Sequence, residues 1–193
     1  SLSGAAYQGV FKNPLVAPDL LGVSSGACVG ASVAILLHLN SFGVQAMAFV
    51  AGILAVGLTL FIPRLIKNTN MTMLVLSGII VKGIMDSVMG IIKYVADPET
   101  ELQSITYWQL GSLTKVLPKD LFTVGPVIVA ASVIIFLLRW RINILSLGDR
   151  EAKTLGVSVT IVRNFIIICA TLLTASAVCI SGTIGWIGLV IPH

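Results

Sequence analysis

Charge is scarce along this chain: Asp, Glu, Lys and Arg together make up 10% of its 193 residues. Hydrophobic residues make up 56%, and the mean hydropathy is +1.02. A soluble domain of this length has too little interior to hide so much apolar surface, so an ordinary water-soluble fold is excluded. Histidine and cysteine are also sparse. His38 and His193 stand alone, and Cys28, Cys169 and Cys179 have no short pair spacing of the metal-binding kind. The ligands for a metal site are therefore missing, and the cysteines read as small buried hydrophobes. No Gly-rich phosphate loop ending in Gly-Lys-Ser/Thr occurs, so any ATP used must be bound by another polypeptide. The net charge of +4 comes without a basic cluster interleaved with aromatics, which argues against nucleic acid.

Apolar runs are what the chain does have. Segments near Leu21–Leu39, Phe42–Ile62, Met71–Val95, Leu121–Leu138 and Asn164–Ser181 meet the length of a bilayer span, about 20 residues for a core of about 30 Å. Ser1–Phe11 is too short to cross and reads as the end of a further helix. The expected fold class is an all-α polytopic transmembrane bundle, with about five complete spans plus a partial one. The whole stretch 1–193 reads as an interior piece of a longer membrane protein, incomplete at both ends.

Orientation follows from the basic residues, which concentrate on the cytoplasmic side. With alternating spans, one side receives Lys12, Arg64, Lys67, Arg139, Arg141, Arg150, Lys153 and Arg163, and the other receives Lys93, Lys115 and Lys119. Eight against three puts Asn13–Ala27 and Arg139–Arg163 in the cytoplasm and Asp97–Lys119 outside.

Three departures from plain hydrophobic helix stand out. In NPLVAPDLLGVSSGA, Asn13 to Ala27, Pro14 and Pro18 lack amide donors and push their predecessors away from helix. Gly22, Gly26 and Gly30 follow at four-residue spacing, a smooth stripe for close helix packing. Irregular backbone at membrane depth survives only where protein buries it or a water-filled path hydrates it, so this elbow points toward a pathway. Arg139–Arg163 is too polar to enter the bilayer and too short for a core of its own. Ser146 or Asp149 can cap a short helix there, and Gly156 is placed to end it. Ile144, Leu147 and Leu155 could form apolar knobs amid Asp149, Arg150, Glu151 and Lys153, as docking into a partner's groove requires, although a solvated loop fits as well. Lys82 and Asp86 lie four apart inside a span, where they can neutralise each other as a polar feature of a path or interface, or of a helix contact. In the closing SGTIGWIGLVIPH the three-spaced Gly182, Gly185 and Gly188 read as tight packing, and Tyr107 and Trp108 as interfacial anchors.

Taken together, NPLVAPDLLGVSSGA, the loop LSLGDREAKTLGV and the closing SGTIGWIGLVIPH resemble, in order and at fitting distances, the permease subunits of importers for iron–siderophore, haem and cobalamin. This is the FecCD-like family of ABC transporters, and ITYWQLGSL at Ile105–Leu113 fits the same pattern. The resemblance covers essentially the whole chain. It implies a permease of the inner (cytoplasmic) membrane that pairs with a second permease subunit, identical or different, around one path. Two ATP-binding subunits would sit beneath, and an extracytoplasmic substrate-binding protein would deliver a metal chelate. The chain itself would bind no cofactor, the ATP being used by the partner, and would not be an enzyme.

Site residues carry over only where motifs match. Asn13 and Leu15 would narrow the cytoplasmic end of the path, and Asn70, Met71 and Thr72 would form a second constriction. Met71 departs from the small hydroxyl residues usual there. Leu147, Gly148, Asp149, Arg150, Glu151, Ala152, Leu155 and Gly156 would belong to the helix that couples to the ATPase. The alternative class is an ion-driven secondary transporter, which would also have broken helices and an intramembrane carboxylate but no need of the docking loop. No catalytic constellation is found: Cys179 replaces the glycine that a Gly-x-Ser-Gly site would place before Ser181, and Asp86 has no second intramembrane carboxylate.

Overall fold

The computed structural model describes residues 1–66, 70–116 and 118–191; Lys67, Pro192 and His193, used above, lie outside the described residues, as do the side chains of Lys115 and Arg150. Among the described residues the regular structure is helical: α1 Leu2–Phe11, α2 Val23–Leu36, α3 Ser41–Leu65, α4 Met71–Val95, α5 Glu101–Leu110, α6 Pro118–Leu137, α7 Arg139–Leu147, α8 Asp149–Thr154, α9 Val159–Ser181 and α10 Ile187–Val190. The all-α expectation holds. Four of these helices, α3, α4, α6 and α9, are long and apolar enough to cross a membrane.

The fifth expected span is shorter than predicted. Pro18 starts a single 3₁₀ turn over Pro18–Leu21, and Gly22 follows with φ of 80°, a left-handed conformation that side chains disfavour. Helix α2 therefore begins at Val23 and has 14 residues. At 1.5 Å per residue it is about 21 Å long, short of the roughly 30 Å hydrocarbon core. The hydropathy of Leu21–Leu39 was sufficient, but the backbone at both ends was not helical; His38 has φ of 51°.

The chain divides into two compact units, Ser1–Pro18 with Phe122–Thr174 and Gly185–His193, and Asp19–Leu121 with Ala175–Ile184. The second unit is organised by α2 lying on α3. The small-residue stripe does what its spacing suggested. A Cβ added at Gly26 would stand 2.8 Å from the Ala51 carbonyl oxygen, and one at Gly30 would overlap that of Met47. Ala27, Ala31, Ala48 and Ala55 are fully buried along the same seam. Asn40 caps α3, its side chain accepting from the Gly43 N–H at 2.8 Å.

The elbow is not a solvated loop along its whole length, which corrects the cytoplasmic placement of Asn13–Ala27 as one piece. A Cβ at Gly78 would overlap the Leu20 carbonyl oxygen, and Gly22 faces Lys82 of α4. Gly78 and Lys82 lie seven and eleven residues beyond Met71, roughly 10 and 17 Å along the helix. Residues from Leu20 onward thus lie against the middle of a span. The Thr59 hydroxyl, fully buried on α3, donates to the Leu21 carbonyl at 3.0 Å and so satisfies a group the break would otherwise orphan. In the same unit Trp108 packs on a cluster of Cys28, Met89, Ile92, Ala96 and Ile105, whereas Tyr107 is exposed. Of the two aromatics read as anchors, Tyr107 is thus open to its surroundings and Trp108 is half-buried against this cluster. Cys28, Cys169 and Cys179 are all buried and unbridged, as expected.

In the first unit α1 docks on α9 through hydroxyl pairs. Ser3 Oγ donates to the Ala170 carbonyl at 2.9 Å, and the Tyr7 and Thr171 hydroxyls lie 3.0 Å apart. Gly188, on α10, packs so closely against Gly4 and Pro18 that a Cβ at either glycine would overlap its neighbour, which bears out the packing reading at Gly188; at Gly185 it does not hold, since an added Cβ there would meet nothing within 4 Å.

Candidate coupling and path residues

Helix α1 ends in a left-handed Lys12, φ 51°. The next residue, Asn13, accepts the Leu15 N–H on Oδ1 at 2.9 Å, while its carbonyl accepts from the Val16 N–H at 3.2 Å. Asparagine suits this position because its short side chain mimics a backbone turn. Gln8 Nε2 donates to the Pro14 carbonyl at 2.8 Å, tying the turn back to α1. The turn holds Leu15 outward, 76% exposed, so no packing contact explains its apolar character. Asn70, Met71 and Thr72 belong to the other unit, where Asn70 occupies the N-cap position of α4 and Met71 is half-buried.

The polar segment after α6 folds as two short helices. Gly156 ends α8 as expected: with φ of 75° it donates its N–H to the Lys153 carbonyl at 3.0 Å, and Val157 donates to Ala152 at 3.0 Å. That pair of bonds is a Schellman closure, which satisfies carbonyls left over at the helix end. The start differs from expectation. Gly148 occupies the N-cap, Ser146 donates its hydroxyl to the Asn143 carbonyl at 2.7 Å, and Asp149 is the first helical residue with its carboxylate engaged elsewhere. Along the pair of helices Leu147 is 68% and Leu155 60% exposed, Glu151 is exposed, Ile144 is half-buried, and Leu145 is buried. Ala152 is fully buried and therefore packs within the unit rather than presenting to a partner. The backbone of Arg150 belongs to α8.

The carboxylate of Asp149 is the electrostatic centre of this segment. Arg163 Nη2 donates to both its oxygens, at 2.9 and 2.8 Å, and Lys12 Nζ donates to Oδ1 at 3.2 Å. The Arg163 hydrogen bonds first, then Lys12, hold the Asp149 carboxyl below the usual carboxylate range against the opposing effect of partial burial. A carboxylate whose pKa is lowered on folding contributes its stability above the unfolded value, and the contribution is lost as pH falls through the folded value. The link is thus intact at neutral pH.

The Lys82–Asp86 pairing is not formed. Lys82 Nζ instead approaches Asp19 Oδ2 at 3.6 Å, and Asp86 is exposed without an ion pair among the described residues. The elbow brings Asp19 to the side of α4, and an opposite charge from another element competes successfully with a neighbour one turn away. Sequence reasoning also missed Lys12 and Arg163 as site residues, counting them only toward topology. Their separation from Asp149, 137 and 14 positions, carries no periodic signal.

Comparison with known proteins places these features in a wider set. The profile of a family described as the FecCD transport family matches residues 1–193. The molybdate import system permease protein MolB of Haemophilus influenzae is 37% identical over 194 residues, covering 100% of this chain and 57% of that protein. The hemin transport system permease protein HmuU of Yersinia pestis is 34% identical over 201 residues, covering 100% and 59%. A solved structure described as an inward-facing conformation of a metal-chelate type ABC transporter superposes with a TM-score of 0.94 at 35% identity, covering 100% of this chain and 61% of that one. The chain spans a little over half the length of the curated relatives it matches.

Proposed function

We propose, from the premise that this chain belongs to the FecCD transport family, that it forms part of the transmembrane permease subunit of an ATP-driven importer in the cell (inner) membrane. It is not itself an enzyme and binds no cofactor; ATP is bound and used by a pair of partner subunits. A second permease subunit completes the path, and an extracytoplasmic binding protein supplies the substrate. The substrate class is a metal chelate such as iron–siderophore, haem or a corrinoid, or an oxyanion. Relatives of similar identity are named for molybdate and for hemin, which supports placing the choice of substrate outside this stretch.

The observation that carries this reading is the α7–α8 pair. It is a polar structure between two spans, fixed by a Schellman turn, that leaves Leu147 and Leu155 in water. Apolar knobs on a short rigid helix amid charge are what a groove on a partner would take up. The ion-driven alternative draws on the broken start of α2 and on the Asp19–Lys82 pair at membrane depth, but gives α7–α8 no task. In vesicles carrying the full-length permease with its ATPase subunits and binding protein, uptake should persist when ionophores collapse the ion gradients and stop when the ATPase is inactivated. The reverse pattern would establish the secondary-transporter class.

Asn13–Leu15 and Asn70–Thr72 act in this scheme as the constrictions at the cytoplasmic end. Because Leu15 is largely exposed, Leu15→Ala should cost far less than the roughly 2–5 kcal/mol of a buried leucine truncation. Passive leak of a small dye through reconstituted vesicles should rise, with the melting temperature of the complex unchanged. An intact barrier in that variant would remove Leu15 from the gate.

A further inference from the structure

Asp149 is the residue where three separate elements meet. It opens α8, its oxygens take both Nη2 hydrogen bonds of Arg163 in the second turn of α9, and Oδ1 takes Lys12 at the end of α1. We propose that Asp149 is a positioning residue that ties the coupling helix α8 to the end of α1, so that displacement of α8 is delivered to the Asn13–Leu15 turn. The proposal rests on the reading of α7–α8 as the ATPase-docking element.

The argument is one of stiffness and of what breaks last. Helix α8 has six residues, closed at its end by the Schellman bonds, so it moves as a short rigid piece. The Arg163 side chain is only 9% exposed. A nearly buried guanidinium that lost its carboxylate would be left uncompensated, which is a severe penalty, so the Asp149–Arg163 contact persists through a movement rather than parting. Charge-assisted bonds of this kind are short and directional. Lys12 immediately precedes Asn13, and Asn13 holds Leu15 through its side-chain turn, while Gln8 clamps Pro14. From α8 to Leu15 the path therefore runs through Asp149, Lys12 and the Asn13 turn by direct contacts and chain connection. A contiguous set of contacts such as this transmits a two-position motion only if removing a link uncouples the ends, and that can be measured.

The experiment uses the full-length permease reconstituted with its ATPase subunits and binding protein, recording uptake and ATP hydrolysis together. Asp149→Asn keeps the side-chain shape but removes the charge that holds Lys12. Uptake per ATP hydrolysed should fall about tenfold, within the ordinary range of coupling between sites, and Asp149→Glu should recover most of it. A second arm replaces Lys12 and Asp149 by cysteine in a background without Cys28, Cys169 and Cys179. This protein should be uncoupled until a short bismaleimide joins the two positions, and coupled afterwards. An unchanged ratio in Asp149→Asn, or a cross-linked protein no better than the unlinked one, would overturn the proposal. So would loss of ATPase co-purification in Asp149→Asn, since that makes Asp149 part of the docking face. If Asp149→Asn does not accumulate in the membrane, Lys12→Gln carries the same forecast, because the Lys12 side chain is 34% exposed and its loss leaves Arg163 paired. Failure of the docking reading shows separately, as an ATPase that still co-purifies with Leu147→Asp.

Discussion

Leu147→Asp is expected to abolish association of the permease with its ATPase subunits, and uptake with it, while membrane insertion stays intact. The residue closes α7 with 68% of its surface in water, so the folded protein does not depend on its packing. Substitutions at such positions usually change stability by no more than about 0.5 kcal/mol. In a partner's groove the situation reverses. An apolar anchor in a desolvated pocket contributes about 2 kcal/mol or more, and an aspartate there would also have to shed its hydration. A loss of about 2 kcal/mol is roughly a 30-fold weakening, and the carboxylate's desolvation adds to it. Co-purification of the ATPase with a tagged full-length permease, alongside uptake into vesicles, measures both effects. Retention of both at the wild-type level would remove Leu147 from the interface.

A comparable effect with the opposite cause is expected for Gly30→Leu. Here the side chain would enter the α2–α3 seam, where a Cβ alone overlaps the Met47 carbonyl oxygen and comes within 2.6 Å of the Ala51 methyl. The obstacle includes backbone, which cannot rotate away, so the helices must part along a face whose alanines are fully buried. Overpacking of a tight core costs about 1–3 kcal/mol and sometimes more; a whole leucine against a carbonyl belongs at the top of that range. The full-length protein should lose most of its monodisperse yield in detergent and melt at a lower temperature. Gly57→Ala, on the same α3 but with nothing within 4 Å of the added methyl, is the control and should fall within about 1 kcal/mol of wild type. Equal behaviour of the two variants would mean the seam does not hold α2 in place.

The features legible in the sequence were those with local or periodic causes. Hydropathy over about 20 residues located α3, α4, α6 and α9, and four-residue spacing of glycines located the seam on α2. Gly156 announced the end of α8 because a left-handed closing residue favours glycine. What could not be read was any pairing across the fold. Lys82 has a carboxylate one turn away at Asp86, and local reasoning chose it, but chain reversal at the elbow supplies Asp19 instead. Asp149 looked like a solvent-facing charge on a docking helix because neither Lys12 nor Arg163 gives any sign in the sequence of lying beside it. The length of α2 was misjudged because hydropathy continued through Leu21 while the backbone did not.

The shortness of α2 bears on how the chain enters a bilayer during synthesis. A hydrophobic helix is retained by the insertion machinery when it is long and greasy enough to partition by itself, and α2, at 14 residues with Ser24, Ser25, Gly26 and Gly30 among them, is poorly equipped to do so. Helix α3, at 25 residues, is well equipped. Only Leu37–Asn40 separate them, and the seam lets their backbones lie close together. The favourable course is for α2 to enter alongside α3 as one helical hairpin, with the Leu21 carbonyl just before its start taken up by Thr59 of its partner rather than exposed to lipid. Elongation past α3 is then the point at which α2 becomes committed to the membrane, and the order in which the ribosome delivers the two helices becomes part of what specifies the elbow.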